Sequence, residues 1–346
     1  MTGQAEINVD LRETVAKNVA VEHALHIETG ETCKRPSQQH QLLLGFQFGY
    51  PKATQDHPAI IGIDLKPLNQ GKLTEAWWYK GPVEYSCAGT VKLAECREYT
   101  VAIIHTDNNS PEDFHQQTRQ AYIELINAVR STEHTRLVKV WNYFSEINHG
   151  EGDEEKYRQF SIGRAEAFKQ LGINDEDSPA GTAIGTQAGG LVIIAIASNH
   201  PFCPVENPRQ TSAFQYPRKY GPESPKFCRA GFVSSERHRL FLISGTAAVV
   251  GHESNFPDKT HLQTIETIKN LNQLCETVSG MESAGGQFTL DEHSIMRVYL
   301  KNPEDYELVS SALKAELSIN QRNVSYLQGT ICRRELTVEI DGVKVV

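Results

Sequence analysis

Residues 111–125 (PEDFHQQTRQAYIEL) and 257–271 (PDKTHLQTIETIKNL) align without a gap, and His115, Gln117 and Thr118 recur as His261, Gln263 and Thr264. Each stretch runs on as an amphipathic helix. Phe114, Thr118, Tyr122, Leu125 and Val129 step by four, four, three and four residues, and Leu262, Ile265, Ile268, Leu271 and Cys275 nearly repeat that pattern. Apolar positions at this spacing form one stripe along a helix, which predicts two related helices, each laid on a core. One stripe can arise by chance. A shared H-x-Q-T inside an ungapped match makes internal duplication the better reading.

The correspondence extends outward on both sides. An apolar strand run precedes each helix, YTVAII at 99–104 and RLFLI at 239–243, and a β-rich run follows, LVKVWNYF at 137–144 and IMRVYL at 295–300. A second helix comes next, with an inner face of Tyr157, Phe160, Arg164 and Phe168 or of Tyr306, Val309, Leu313 and Leu317. Each copy closes on Gly-Thr (Gly181-Thr182, Gly329-Thr330) and a last strand, GGLVIIAIA or RRELTVEI. These orders predict an α+β fold of two pseudo-symmetric units, each a mixed β-sheet covered on one face by two helices. The Pro-rich stretch 201–225 is the natural junction. The first unit is therefore assigned to residues 1–200, including an N-terminal extension 1–40, and the second to 201–346.

Composition narrows the function classes. The 346 residues carry 34 Lys+Arg against 43 Asp+Glu, a net charge of −9, and 39 % are hydrophobic, which fits globular domains and excludes a mostly disordered chain. An acidic balance argues against nucleic acid or an anionic membrane as partner, because both favour a basic surface. The N-terminal residues show no basic region followed by an apolar run, so a cytoplasmic protein is expected. Seven scattered cysteines without a C-x-x-C pair read as reduced thiols. The thirteen histidines show no H-E-x-x-H spacing, so no metal is expected.

The copies differ where chemistry can sit. In the last strand Glu339 lies on the parity opposite Val338 and Ile340, and the alignment sets it against Ile194 of the first copy. Periodicity leaves two readings open: a solvated outer-face residue, or a carboxylic acid in a cleft between the units, its pKa raised by partial burial. Cys332 faces Ile184 in the same alignment, and by itself reads as a small buried hydrophobe flanked by Arg333 and Arg334. A second asymmetry is electrostatic. Residues 205–240 carry Arg209, Arg218, Lys219, Lys226, Arg229, Arg237 and Arg239 against only Glu206, Glu223 and Glu236, interleaved with Phe214, Tyr216, Tyr220, Phe227 and Phe232. Forked arginines beside rings suit a small cyclic dianion, and the five prolines stiffen the segment; a basic loop on a solvated surface is the alternative.

The stretches at 240–275 (LFLISGTAAVVGHESNFPDKTHLQTIETIKNLNQLC), 295–313 (IMRVYLKNPEDYELVSSAL) and 332–343 (CRRELTVEIDGV) resemble the YjgF/RidA fold family, whose units form trimers with ligand sites at their clefts. From about residue 45 onward the whole chain is similar to the chorismatases, two-unit relatives that remove the enolpyruvyl group of chorismate as pyruvate. The most specific stretches are VWNYFSEIN, SAFQYPRKYGPESPKFCRAG, SGTAAVVGHES and RRELTVEI. The resemblance implies Glu339 as catalytic acid, with Cys332 beside it. It also implies a substrate pocket drawn from Tyr216, Arg218, Tyr220, Arg229, Gly245 and Thr246, and a redox-neutral reaction without cofactor. Chorismatases divide by product. Gly245 and Cys332 are similar to the branch that forms 3-hydroxybenzoate through an arene oxide, whereas the hydrolytic branch tends to alanine at both and yields 3,4-dihydroxycyclohexa-1,5-diene carboxylate.

The expected function is therefore cleavage of chorismate to pyruvate and 3-hydroxybenzoate, a lyase of secondary metabolism. A mixed 3-/4-hydroxybenzoate producer and a hydrolytic chorismatase are alternatives within the family. An imine or enamine deaminase of the wider fold, and a non-catalytic RidA-like ligand-binding protein, are alternatives outside it. Duplication replaces trimer contacts with intramolecular ones, which favours a monomer.

Overall fold

The computed structural model describes residues 9–10, 24–51, 56–107, 114–281 and 287–346. Most of the extension 1–40, and residues 111–113 at the start of the first repeat, lie outside the described residues.

Two sheets carry the duplication. In the first, the strands run in the spatial order Ala180–Thr186, Arg136–Ser145, Leu191–Ser198, Thr100–Thr106, Val91–Glu95 and Glu84–Ala88. In the second the order is Val324–Gln328, Ser294–Leu300, Val338–Val345, Arg239–Ala247, Ala230–Ser234 and Phe202–Val205. Position by position these strands occupy the same places in chain order, so the repeat read in the helices extends to the whole sheet. Helices α1 (Phe114–Arg130) and α2 (Lys156–Gln170) cover one face of the first sheet, and α3 (Thr260–Ser279) and α4 (Tyr306–Glu316) cover the second. Each helix-covered face has its own apolar core, built on Tyr122, Phe144 and Phe160 in one unit and on Ile268, Val298 and Ile340 in the other.

The opposite faces of the two sheets are not solvated. They share a third core with a four-stranded sheet made of Leu25–Gly30, Leu73–Lys80, His40–Phe48 and Ile60–Ile63. The first unit's own sheet thus begins at Glu84, and the segment before it forms a third wall that the sequence reading had counted with that unit. Lys66–Pro67 crosses over and extends the second unit's sheet beside Val324–Gln328. At the centre Trp141 meets Phe46 and Trp77 edge-on, with ring centroids 5.5 and 5.9 Å away.

Charged side chains also cross this core. Both oxygens of Glu75, on the third sheet, accept from Arg297, through Nε at 2.9 Å and Nη2 at 2.6 Å, and Oε1 also accepts from Trp77 Nε1. Arg297 Nη1 reaches Asp341 Oδ1 at 3.3 Å, while Asp341 Oδ2 accepts from Trp141 Nε1 at 2.8 Å and the Thr182 hydroxyl at 2.7 Å. Three sheets are tied through one chain of ionic hydrogen bonds. Such groups are tolerated in a dry core only when paired and bonded on all sides, as these are.

Two sequence expectations shift. Leu262, assigned to the inner stripe of α3, is 40 % exposed, while Gln263, Thr264, Thr267 and Asn270 are buried. Those polar groups hold loops: Asn270 Nδ2 donates to the carbonyls of Ala247 and Val249, and Gln263 bonds Glu335 O and Thr337 N. The second shift is at the last strand, which starts at Val338 rather than Arg333: residues 333–336 make a turn closed by Leu336 N on Arg333 O, and Gln263 holds Glu335 O and Thr337 N beside it.

Candidate active site

Glu339 pairs with Tyr299 on one side and Ala247 on the other, and Ile194 sits opposite Trp141 in the first unit as Glu339 sits opposite Tyr299 in the second. One unit has an aliphatic side chain on the inward face where the other has a carboxyl. The strand partner carries a bulge. Ile243 faces Gly342 and Thr246 faces Ile340, so Ser244 and Gly245 together oppose Asp341 alone. An extra residue of this kind bends a strand and re-aims its neighbours. Here it brings Gly245 against the acid. A Cβ on Gly245 would stand 2.8 Å from Glu339 Cδ and closer still to Oε1, so the carboxyl occupies space that only glycine leaves free. The bulge is held by Ser244, whose hydroxyl donates to Cys228 O at 2.5 Å and accepts from Gly181 N at 2.8 Å.

Glu339 is 4 % exposed. Burial, aided by the Asp341 carboxylate and opposed by Lys139, pushes its carboxyl up to about 8, so it holds a proton at neutral pH. Its one hydrogen-bond partner among the described residues is the Cys332 thiol, 4.0 Å from Oε2. Burial, and then Glu339 itself, pushes that thiol upward, which keeps it protonated and poorly nucleophilic. The Tyr157 hydroxyl is within hydrogen-bond reach of the same sulfur.

The acid opens on a cavity of about 480 Å³ between the units, within the range of small-molecule sites. Tyr157, Tyr216, Tyr220 and Phe227 supply rings to its wall, and Arg158, Lys219, Arg229, Arg333 and Arg334 supply cations. Most of these cations are already matched. Arg158 lies 3.4 Å from Glu155, Lys219 pairs with Glu253, and Arg334 approaches Glu155 at 4.0 Å. Arg229 and Arg333 differ: among the described residues neither has a carboxylate within ion-pair distance. The buried Arg229 donates through Nη2 to Thr211 O and the Tyr216 hydroxyl, and its guanidinium lies 5.2 Å from the Phe227 ring centroid. Arg333 Nη1 donates to His252 O at 2.9 Å and the Ser254 hydroxyl at 3.0 Å, and its guanidinium stacks 4.0 Å from the Tyr220 centroid. The Arg229 charge and backbone N–H act on the Glu206 carboxylate without an ion-pair contact between the side chains. Two oriented guanidinium groups without a direct ion pair among the described residues, beside rings and a protonated acid, have the chemistry to hold a small cyclic dianion.

Six of the eight residues expected from sequence line this cavity: Glu339, Cys332, Gly245, Tyr216, Tyr220 and Arg229. Two do not. The single turn Arg218–Tyr220 directs Arg218 outward, where it is 65 % exposed and forks onto Asp153 at 2.9 and 2.6 Å. Thr246 is buried in the strand beyond the bulge, its hydroxyl donating to Ser244 O at 2.9 Å. Sequence reasoning missed Arg333 and Tyr157. Arg333 was visible only as the neighbour of Cys332, and Tyr157 as a residue on a helix's core stripe.

The sequence profile described as "Chorismatase FkbO/Hyg5-like, N-terminal" matches residues 75–197. The chain is 30 % identical over 238 residues to a 3-hydroxybenzoate synthase of Streptomyces hygroscopicus, covering 66 % of this chain and 69 % of that one. It is 31 % identical over 279 residues to a chorismatase of Streptomyces rapamycinicus, covering 78 % and 81 %. A crystal structure of a chorismatase superposes with a TM-score of 0.82 at 25 % identity, over 94 % of this chain and all of that one.

Proposed function

The chain belongs to the chorismatase family and acts on chorismate, and from that premise we propose that it cleaves chorismate to pyruvate and 3-hydroxybenzoate with Glu339 as general acid. The observation that carries this reading is the proton-holding carboxyl of Glu339 at the wall of a cavity that also holds Arg229 and Arg333, neither in a direct ion pair among the described residues.

The chemistry follows from those groups. Arg229 and Arg333 take the two carboxylates and orient the ring, which removes most of the entropic cost of bringing acid and substrate together. Glu339 delivers its proton to the terminal methylene carbon of the enolpyruvyl ether. The ether carbon becomes an oxocarbenium centre, the ring C–O bond breaks, and the side chain leaves as pyruvate. The neighbouring ring hydroxyl oxygen closes on the carbon that pyruvate leaves, forming an arene oxide, and the hydroxyl proton restores the acid. The oxygen's original ring bond then opens and the proton on its new carbon is lost, which aromatises the ring to 3-hydroxybenzoate. No water is consumed, whereas the hydrolytic branch takes up one. A substrate dianion disfavours ionisation of any nearby carboxyl, so binding itself helps keep Glu339 protonated.

The fold supports a monomer. The four-stranded sheet packs into one core with the inner faces of both units and so covers within one chain the faces that oligomer contacts would otherwise bury. No described helix is long and apolar enough to cross a membrane. The deciding experiment is incubation with chorismate and chromatographic identification of the ring product. 3-Hydroxybenzoate with equimolar pyruvate supports the reading. The dihydroxy-diene acid would reassign the enzyme to the hydrolytic branch, and binding without turnover would leave a ligand-binding protein.

A further inference from the structure

The first unit lacks an acid at Ile194 but sends a buried lysine to Asp341, two residues beyond the acid of the second. Lys139, on the strand Arg136–Ser145, is fully buried. Its ammonium donates to the Thr182 hydroxyl at 2.9 Å and to Ile243 O at 2.7 Å, and stands 3.7 Å from Asp341 Oδ2. Ile243 is the last paired residue before the Ser244–Gly245 bulge, so Lys139 holds one end of the turn that makes room for Glu339.

The charges in this network balance without Glu339. Glu75 and Asp341 are carboxylates that accept from Arg297, Trp77, Trp141 and Thr182, and Arg297 and Lys139 are the two cations between them. A fifth charge on Glu339 would be uncompensated in the same dry core, and a buried unpaired ion is the most costly state available to it. From the other elements Glu339 is faced by Tyr299 on the neighbouring strand, by Cys332, and by Tyr157 from α2. Beyond these, the cavity wall carries Arg158, Arg229, Arg333, Arg334 and Lys219 with Glu151, Glu155 and Glu335.

We propose that Lys139 and Asp341 are positioning residues that act as a unit: their opposite charges offset one another at Glu339 and leave its burial to keep it protonated, and the Lys139–Ile243 hydrogen bond fixes the bulge against which Glu339 rests. The proposal builds on the reading of Glu339 as general acid, yet it concerns a protonation state that can be measured without turnover.

The test is an infrared titration of the full chain. The protonated-carboxyl band that Glu339→Gln removes is followed with pH in the wild type, in Asp341→Asn, in Lys139→Met and in the double variant, alongside the alkaline limb of kcat/KM for chorismate. Asp341→Asn leaves a lone cation and is expected to lower the midpoint of that band by ~1–3 pH units. Lys139→Met leaves the network one negative charge in excess and is expected to raise it by a similar amount. The double variant, neutral again, should titrate within about half a pH unit of the wild type. A merely structural role would weaken the fold without moving the two midpoints in opposite directions. An unmoved midpoint in whichever single variant folds, or a shift of the wrong sign, overturns the proposal. Should neither single variant fold, the double decides, and a displaced midpoint there overturns it. Full pyruvate release by Glu339→Gln would remove the acid reading alone, leaving the infrared result to judge the pair.

Discussion

A methyl group on Gly245 would stand 2.8 Å from the carboxyl carbon of Glu339, so these two residues share one volume across a pair of strands. Gly245→Ala must therefore displace the carboxyl. The side chain can rotate toward the cavity, so the fold survives at a cost of about 1–3 kcal/mol, typical of overpacking. The acid no longer points where the substrate carbon needs it. We expect kcat for 3-hydroxybenzoate formation to fall ~10²-fold with little change in KM, because misplacement of a catalytic group by about 1 Å costs that much. The hydrated product, formed by the branch that tends to alanine here, can still appear. Steady-state kinetics on chorismate check this, and an unchanged kcat would mean that the observed carboxyl position is not the working one.

Glu339→Gln keeps the shape and the hydrogen-bonding capacity but removes the transferable proton. Pyruvate release should drop by ~10²–10⁴-fold, the usual range for loss of a general acid, while a chorismate analogue still binds. The same variant carries a stability signature. The folded-state pKa of Glu339, about 8, lies above its ordinary value of 4.5. Between those values the unfolded chain has released a proton that the native state retains, so this group's contribution to stability is full below about 4.5 and declines as pH rises toward 8. Denaturation across that window should show the variant gaining on the wild type by a few kcal/mol as pH rises. Parallel curves would contradict the buried, protonated acid.

Much of this was legible in the chain because duplication leaves a pattern that period-reading detects. The H-x-Q-T match and the stripes on α1, α2 and α4 gave both units, and the Ile194–Glu339 difference singled out one carboxyl. The third sheet was not legible. Its strands belong to no repeat, and HQLLLGFQF and LTEAWWYK are buried on nearly every position, so they lack the alternation of a half-buried strand. Periodicity also left Glu339 between solvent and cleft, since parity names a face and not what covers it. Leu262 was misjudged for the opposite reason: polar Gln263 and Asn270 took the inner face because loop carbonyls and amides there required partners.

Cys332 stands between the acid and Tyr157, with its thiol 4.0 Å from Glu339 Oε2. Removing the sulfur opens a space about the size of a water molecule next to the group that starts the reaction. Cys332→Ala should therefore divert part of the flux from 3-hydroxybenzoate to the hydrated dihydroxy-diene acid, with total pyruvate release falling only modestly. Chromatography of the ring products gives the ratio directly, and a ratio equal to that of the wild type would leave the thiol with packing alone.

Arg333 and Arg218 make opposite predictions although both are arginines near the same segment. Arg333 lies over the Tyr220 ring, is fixed by His252 O and the Ser254 hydroxyl, and has no carboxylate within ion-pair distance among the described residues, so its guanidinium is oriented before substrate arrives. A charged hydrogen bond to a substrate carboxylate contributes about 1.5–3 kcal/mol. Arg333→Met should thus raise KM by ~10–100-fold, with a smaller effect on kcat, since the lost contact exists in ground and transition states alike. Arg218 is outside the cavity and satisfied by Asp153 in an exposed pair of the kind that contributes little. Arg218→Met should leave both constants near wild type. Measured side by side, equal losses in the two variants would place the substrate against the outer loop rather than against Arg333, and would displace the site from the wall that Glu339 shares.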